Sequence, residues 1–65
     1  MMSLKSALNE SIARTVVRLV GEEQMDQEEA IQKASDAMKG LLQYEQTEED
    51  LKSIRISIER LLKGV

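Results

Sequence analysis

Three pairs of adjacent acidic residues are the groupings in this sequence that most resemble catalytic chemistry: Glu22 with Glu23, Glu28 with Glu29, and Glu48 with Glu49. Paired carboxylates can serve as general acid and general base when their pKa values are shifted. However, the chain has no His or Cys, and its Ser and Thr residues have no base to activate them. These acids also flank predicted helix starts, where they have a sufficient electrostatic role. We therefore predict that the protein is not an enzyme and uses no cofactor.

Metal binding is the second chemistry to consider, because four acids crowd one short region: Glu22, Glu23, Asp26 and Glu29. A calcium loop places its oxygen ligands at alternating positions and has a Gly at the sharp turn. This region has neither feature. We predict no specific metal site.

A basic stripe is predicted on the last helix, where Lys52, Ile56, Arg60 and Lys63 recur at i, i+4, i+8 and i+11. Such a stripe could lie along nucleic-acid phosphates. Against this, the chain has a net charge of −3 and a single aromatic residue, Tyr44, so it offers no stacking platform. We expect a protein partner rather than nucleic acid. The alternative is a small transcription-related regulator that contacts DNA through this third helix.

Two β-branched residues fall outside the predicted core, Val17 on the first helix and Ile56 within the basic stripe. Single exposed apolar residues are normal, but a second contact surface would bury both of them. We therefore predict a partner interface made of Val17, Lys52, Ile56, Arg60 and Lys63.

The size of the chain predicts self-association. A chain of 65 residues buries a small share of its surface, and this one has no Cys for disulfides and no His or Cys for zinc. We expect a homodimer as the simplest oligomer. No apolar run approaches the roughly 18 to 20 residues that span a bilayer, so we expect no membrane partner and a cytoplasmic location.

Charge is segregated along the chain. Residues 1–21 have three basic side chains against one acidic, residues 22–50 have two against ten, and residues 51–65 have four against one. We expect the two basic helices to complement the acidic one, either within the fold or across a dimer.

Periodicity predicts a first helix over about 4–20, with Ser3 as N-cap and Gly21 just after its end. Its apolar stripe consists of Leu4, Leu8, Ile12, Val16 and Leu19. A second helix is predicted over about 27–45, where Asp26 and Glu29 are spaced as a capping box. Its wide apolar face suggests a central helix with two neighbours. We favour a helix that passes through Gly40 rather than one that ends there.

The third helix is predicted over about 48–63, with Thr47 as N-cap, Gly64 at its end, and the acids Glu48, Glu49 and Asp50 in its first turn. Leu51, Ile54, Ile58, Leu61 and Val65 form a heptad seam. One long helix over 27–63 would rotate this seam by roughly 110° from the stripe of the second helix, so a turn near Gln46 and Thr47 and an antiparallel hairpin are favoured. A strand over 53–59 in a small α/β fold is the remaining alternative.

The sequence therefore predicts a single all-α domain over 1–65, with three helices that complete a bundle by dimerisation. We expect a non-catalytic helical interaction module, such as an adaptor, an antagonist or a chaperone-like small regulator, or else a structural subunit of a larger complex. The predicted oligomer or core seam consists of Ala30, Ala34, Ala37, Leu41, Leu51, Ile54, Ile58 and Leu61.

Overall fold

The computed structural model describes residues 3–64, with the side chain of Leu42 excepted, and consists of three α-helices. They are α1 (Leu4–Glu22), α2 (Gln27–Leu42) and α3 (Glu48–Lys63). The prediction of an all-α fold is confirmed, and the strand alternative is wrong because residues 53–59 are helical. Val65, the last member of the predicted seam, lies outside the described residues.

Side-chain caps define the start of each helix. The Ser3 hydroxyl accepts a 3.1 Å hydrogen bond from the backbone N–H of Ser6, and the Asp26 carboxylate accepts one of 3.3 Å from Glu28. The reciprocal capping box occurs at α3 and not at α2. Thr47 accepts from the backbone N–H of Asp50 at 3.2 Å, and Asp50 accepts from that of Thr47 at 2.9 Å.

The helix ends differ from the prediction in two of three cases. Helix α1 continues through Gly21 to Glu22, and the chain turns at Gln24, which has a φ of 53°. Helix α2 passes through Gly40 as predicted, but it ends at Leu42 because Gln43 adopts a left-handed conformation. Gly64 caps α3 as predicted.

Helix α1 is the centre of the fold. It packs against both α2 and α3, whereas no Cα atom of α2 lies within 8 Å of one of α3 in the described chain. The prediction that α2 is central and forms a hairpin with α3 is therefore wrong. The physical reason is that α1 buries a wider arc than its leucine stripe suggested, since Asn9 and Ala13 are buried beside Ile12 and Val16.

The core is small and consists of aliphatic side chains and the ring of Tyr44. Its fully buried members include Ile12 and Val16 of α1, Ala30 of α2, and Ile54 and Ile58 of α3. Partly buried side chains that pack against these residues come from all three helices and from the first turn: Leu8, Val17, Leu19, Val20, Met25, Met38, Leu51 and Leu61. Leu4, predicted in the apolar stripe of α1, is instead 76% exposed.

Two residues of the predicted seam lie outside this core. Ala37 is exposed, and Leu41 is 81% exposed. Ala37 lies two turns beyond the buried Ala30 and within about 20° of it around the helix axis, so its exposure reflects its position along α2 rather than the side of the helix on which it lies. Leu41 lies in the last turn of α2, where no described helix covers it. The core assignment is wrong for these two, whereas Ala30, Ala34, Ile54 and Ile58 are buried.

None of the three described helices combines the length and the apolarity that crossing a bilayer requires.

Candidate functional site

Four of the five predicted interface residues lie on one side of α3, and all four are exposed. We call this side the outer face of α3, and it comprises Glu48, Glu49, Lys52, Ile56, Glu59, Arg60 and Lys63. Val17, the fifth, is half-buried on α1 and packs against the core. The prediction that Val17 lies outside the core is therefore wrong, because the arc that α1 buries includes this side chain.

Ile56 is at the centre of the outer face because of helical geometry. It lies two residues after Ile54 and two before Ile58, both of which are buried. At about 100° per residue, two positions correspond to about 200°, which places Ile56 opposite the core. Its side chain is 65% exposed. A large β-branched residue thus faces solvent in the middle of α3.

The cations of the outer face are partly neutralised by neighbouring carboxylates. Arg60 Nη2 lies 3.2 Å from Glu10 Oε2 on α1, and Lys63 Nζ lies 3.2 Å from Glu59 Oε1 on the preceding turn. Lys52 forms no ion pair within residues 3–64. The uniform basic stripe predicted from the sequence is therefore a mixed-charge surface.

Charge also changes sign along the outer face. Its first turn carries Glu48 and Glu49, neither of which has an ion-pair partner in the described part of the chain. Its last turns carry Arg60 and Lys63. This distribution suits the helix dipole, since acids lie near its positive end and bases near its negative end.

The surface beside Ile56 is a shallow depression lined by Glu59, Arg60, Lys63 and Gly64. A second depression lies along α1 and is lined by Ala7, Glu10, Ser11, Arg14, Thr15 and Arg18. Both are open to solvent. Within residues 3–64, no three carboxylates gather closely enough to hold a metal ion.

A buried polar cluster joins the starts of α1 and α3. Asn9 Nδ2 donates to Asp50 Oδ1 at 3.0 Å, and Asn9 Oδ1 accepts a hydrogen bond from the Tyr44 hydroxyl. Asp50 Oδ2 accepts from the backbone N–H of Thr47 at 2.9 Å and pairs with Lys5 Nζ at 3.0 Å. No buried side-chain nitrogen or oxygen in the described residues lacks a partner. The polar atoms of this cluster therefore hold α1 and α3 together, and none of its buried ones is left without a hydrogen bond.

The same contacts shift two pKa values. The backbone N–H of Thr47, with the side chains of Asn9 and Lys5, holds the pKa of Asp50 well below its usual range. Burial raises the pKa of Tyr44, whose ring also lies under the ammonium of Lys5 at 5.2 Å from its centroid. Both shifts favour the protonation states that the hydrogen bonds require at neutral pH.

The sequence does not predict this cluster as a whole, although it contains one signal for it. Asn9 is a polar residue within the apolar periodicity of α1, between Leu8 and Ile12. A polar residue at such a position needs a hydrogen-bonding partner once it is buried. That partner, Asp50, was assigned only to the first turn of α3.

Comparison with known proteins yields no match to a family model, a curated protein or a solved structure.

Proposed function

We propose that this protein is a non-catalytic helical module for protein–protein interaction, and that the outer face of α3 is its contact surface. The observation that carries this proposal is the position of Ile56. The side chain is 65% exposed at mid-helix, opposite the buried Ile54 and Ile58. A partner that covers it would remove apolar surface from water, which is the dominant driving force in most protein association.

The surroundings of Ile56 support a protein partner. A typical interface has an apolar centre and a polar rim, and Ile56 is surrounded by Lys52, Glu59, Arg60 and Lys63. A polyanion would meet Glu59 beside Lys63, and Arg60 is already engaged with Glu10. Direct nucleic-acid binding therefore has less support than protein binding.

The biological role that fits such a module is that of an adaptor, an antagonist or a chaperone-like regulator that works as a homo-oligomer. The core is small and the sequence has no Cys for a disulfide bond, so association would add stability that the single chain lacks. We propose the cytoplasm as its compartment, since a chain without Cys has no need of an oxidising environment.

Affinity capture from native cell extract would test this function, with three versions of the chain as bait. Ile56→Glu places a charge at the centre of the outer face. Lys33→Glu is the control, because Lys33 is exposed on α2 and forms no ion pair in the described chain. We expect wild type and Lys33→Glu to retain the same proteins, and Ile56→Glu to lose them.

Circular dichroism melting should show that all three baits are folded, since both substituted residues are exposed. Equal retention by wild type and Ile56→Glu would contradict the proposal, and so would the absence of any protein retained by the wild type above a blank resin.

A further inference from the structure

We propose that the outer face of α3 binds the same face of a second copy of this chain, with the two α3 helices antiparallel about a twofold axis at Ile56. This inference rests on the proposed function, in that it takes the outer face as the contact surface. It adds the identity of the partner and the direction of its helix.

The position of Ile56 along α3 suits a twofold axis. Glu48, the first residue of the helix, lies eight positions before Ile56, and Lys63, the last, lies seven positions after it. An antiparallel pair centred on Ile56 therefore overlaps over the whole length of both helices. The two exposed Ile56 side chains meet at the centre and bury each other.

Charges on one side of Ile56 are self-complementary in this arrangement. Helical rotation places Glu48, Lys52, Glu59 and Lys63 on the same side of Ile56. When two helices pack antiparallel about a twofold axis at Ile56, a residue that precedes Ile56 in one copy faces the residue on the same side that follows Ile56 by the same distance in the other copy.

The distances along the helix bring opposite charges together. Glu48 and Lys63 lie about 12 Å and about 10.5 Å from Ile56 in opposite directions, at about 1.5 Å per residue. Lys52 and Glu59 lie about 6 Å and about 4.5 Å from it. Each pair of positions thus joins an acid of one copy to a base of the other, and the symmetry repeats every contact.

The other side of Ile56 follows the same pattern. Glu49 and Arg60 lie there, about 10.5 Å and about 6 Å from Ile56 in opposite directions. The Arg60 side chain is 66% exposed and contacts Glu10 through Nη2, so its other guanidinium nitrogens can reach Glu49 of the second copy while that contact is kept. Glu48, Glu49 and Lys52 have no ion pair in the described chain, so they are free to make these contacts.

The charges also select the antiparallel direction. A parallel pair in register would bring Lys52 against Lys52 and Lys63 against Lys63, and it would align the two helix dipoles. The antiparallel pair opposes the dipoles and joins unlike charges. Lys63 is already paired with Glu59, but both side chains are more than 60% exposed, so that contact can rearrange at little cost.

Charge-reversed variants test this arrangement by sedimentation equilibrium. Lys52→Glu places an acid opposite Glu59 of the second copy, and Glu59→Lys places a base opposite Lys52. Each variant alone has two repulsive contacts per dimer, so we expect its dimer Kd to rise about tenfold or more. Ile56→Glu should be monomeric.

Mixing the two variants is the decisive step. In a heterodimer, the glutamate introduced at position 52 faces the lysine introduced at position 59, and the native Glu59 faces the native Lys52. We expect the mixture to form a heterodimer with a Kd near that of the wild-type dimer. Lys33→Glu, which makes the same charge change away from the outer face, should dimerise as the wild type does.

Three results would overturn the inference: a wild-type chain that is monomeric at several hundred micromolar, a dimer unaffected by Ile56→Glu, or a mixture no tighter than its separate components. A monomeric chain that still loses its captured proteins on Ile56→Glu would overturn the second copy as partner and leave the proposed function standing. A dimer and a set of captured proteins that both survive Ile56→Glu would overturn both proposals.

Discussion

The side-chain amide of Asn9 donates a 3.0 Å hydrogen bond to the carboxylate of Asp50 across 41 positions of sequence. The same carboxylate completes the capping box of α3 through its bond with Thr47. One side chain therefore both starts α3 and joins it to α1. Losing this carboxylate should affect a helix terminus and a helix contact together.

Asp50→Ala should lower the free energy of unfolding by about 2 to 4 kcal/mol, because it removes a cap and leaves the buried amide of Asn9 without its partner. Urea unfolding followed by circular dichroism, at one fixed protein concentration, measures this. Asp36→Ala is the matched control, since Asp36 is exposed on α2 and accepts one bond, from Gln32. Equal losses for the two variants would contradict the role given to Asp50.

Acid should weaken the fold through the same residue. The folded chain holds the pKa of Asp50 below its unfolded value, so this contribution to stability is present above a pH of about 4 and is lost as the pH falls below it. We expect the difference in urea midpoint between wild type and Asp50→Asn to be largest at neutral pH and to shrink below about pH 4. A difference that stayed constant down to pH 2 would show that ionisation of Asp50 is not the cause.

The sequence predicts the contact of Asp50 with Thr47, but it does not predict the contact of Asp50 with Asn9. Thr47 was predicted as a cap with Asp50 in the first turn, because capping is local and follows from residue types a few positions apart. The contact with Asn9 is not local. Nothing in the spacing of α1 or α3 indicates which polar residue of one helix meets which residue of the other.

Truncation of apolar side chains should show which residues of the predicted seam belong to the core. Ile54→Ala deletes a fully buried side chain and should cost about 2 to 5 kcal/mol of unfolding free energy. Leu41→Ala deletes a side chain that is 81% exposed and should change stability by less than about 0.5 kcal/mol. Urea unfolding of both variants provides the comparison. A large loss for Leu41→Ala would mean that something covers this residue in solution.

Glycine replacement should stabilise α2. Gly40 lies within the helix, and a Cβ atom added there meets nothing within 4 Å. Gly40→Ala should therefore raise the unfolding free energy by about 0.5 to 1 kcal/mol. Gly64→Ala is the contrast, because its Cβ would lie 3.2 Å from the carbonyl oxygen of Arg60. The prediction fails if thermal melting places Gly40→Ala at or below the wild type.

Helix packing shows where sequence patterns stop being informative. The existence and order of all three helices follow from caps and periodicity, and α3 was predicted with its observed bounds. The central position of α1 does not follow. The predicted seam includes Ala37 and Leu41, which makes the apolar face of α2 look wide enough for two neighbours, but the backbone of α3 stays more than 8 Å from that of α2, measured between Cα atoms, and the two helices are joined by the ion pair of Arg55 with Glu28.

The outer face of α3 was predictable in placement but not in charge. Opposite sides of a helix follow from its period, so the exposure of Ile56 agrees with the expectation from sequence. The pairing of Arg60 with Glu10 depends on how α1 lies against α3, which the sequence does not encode locally. That contact turns a basic stripe into a mixed surface.

The central place of α1 also orders events during synthesis on the ribosome. Helices α1 and α2 are neighbours in the chain and can pack as soon as both have left the exit tunnel. Until α3 emerges, the side of α1 that contacts it is uncovered, and Asn9 has no Asp50 carboxylate to donate to. The nascent chain thus exposes one side of α1 until α3 packs against it.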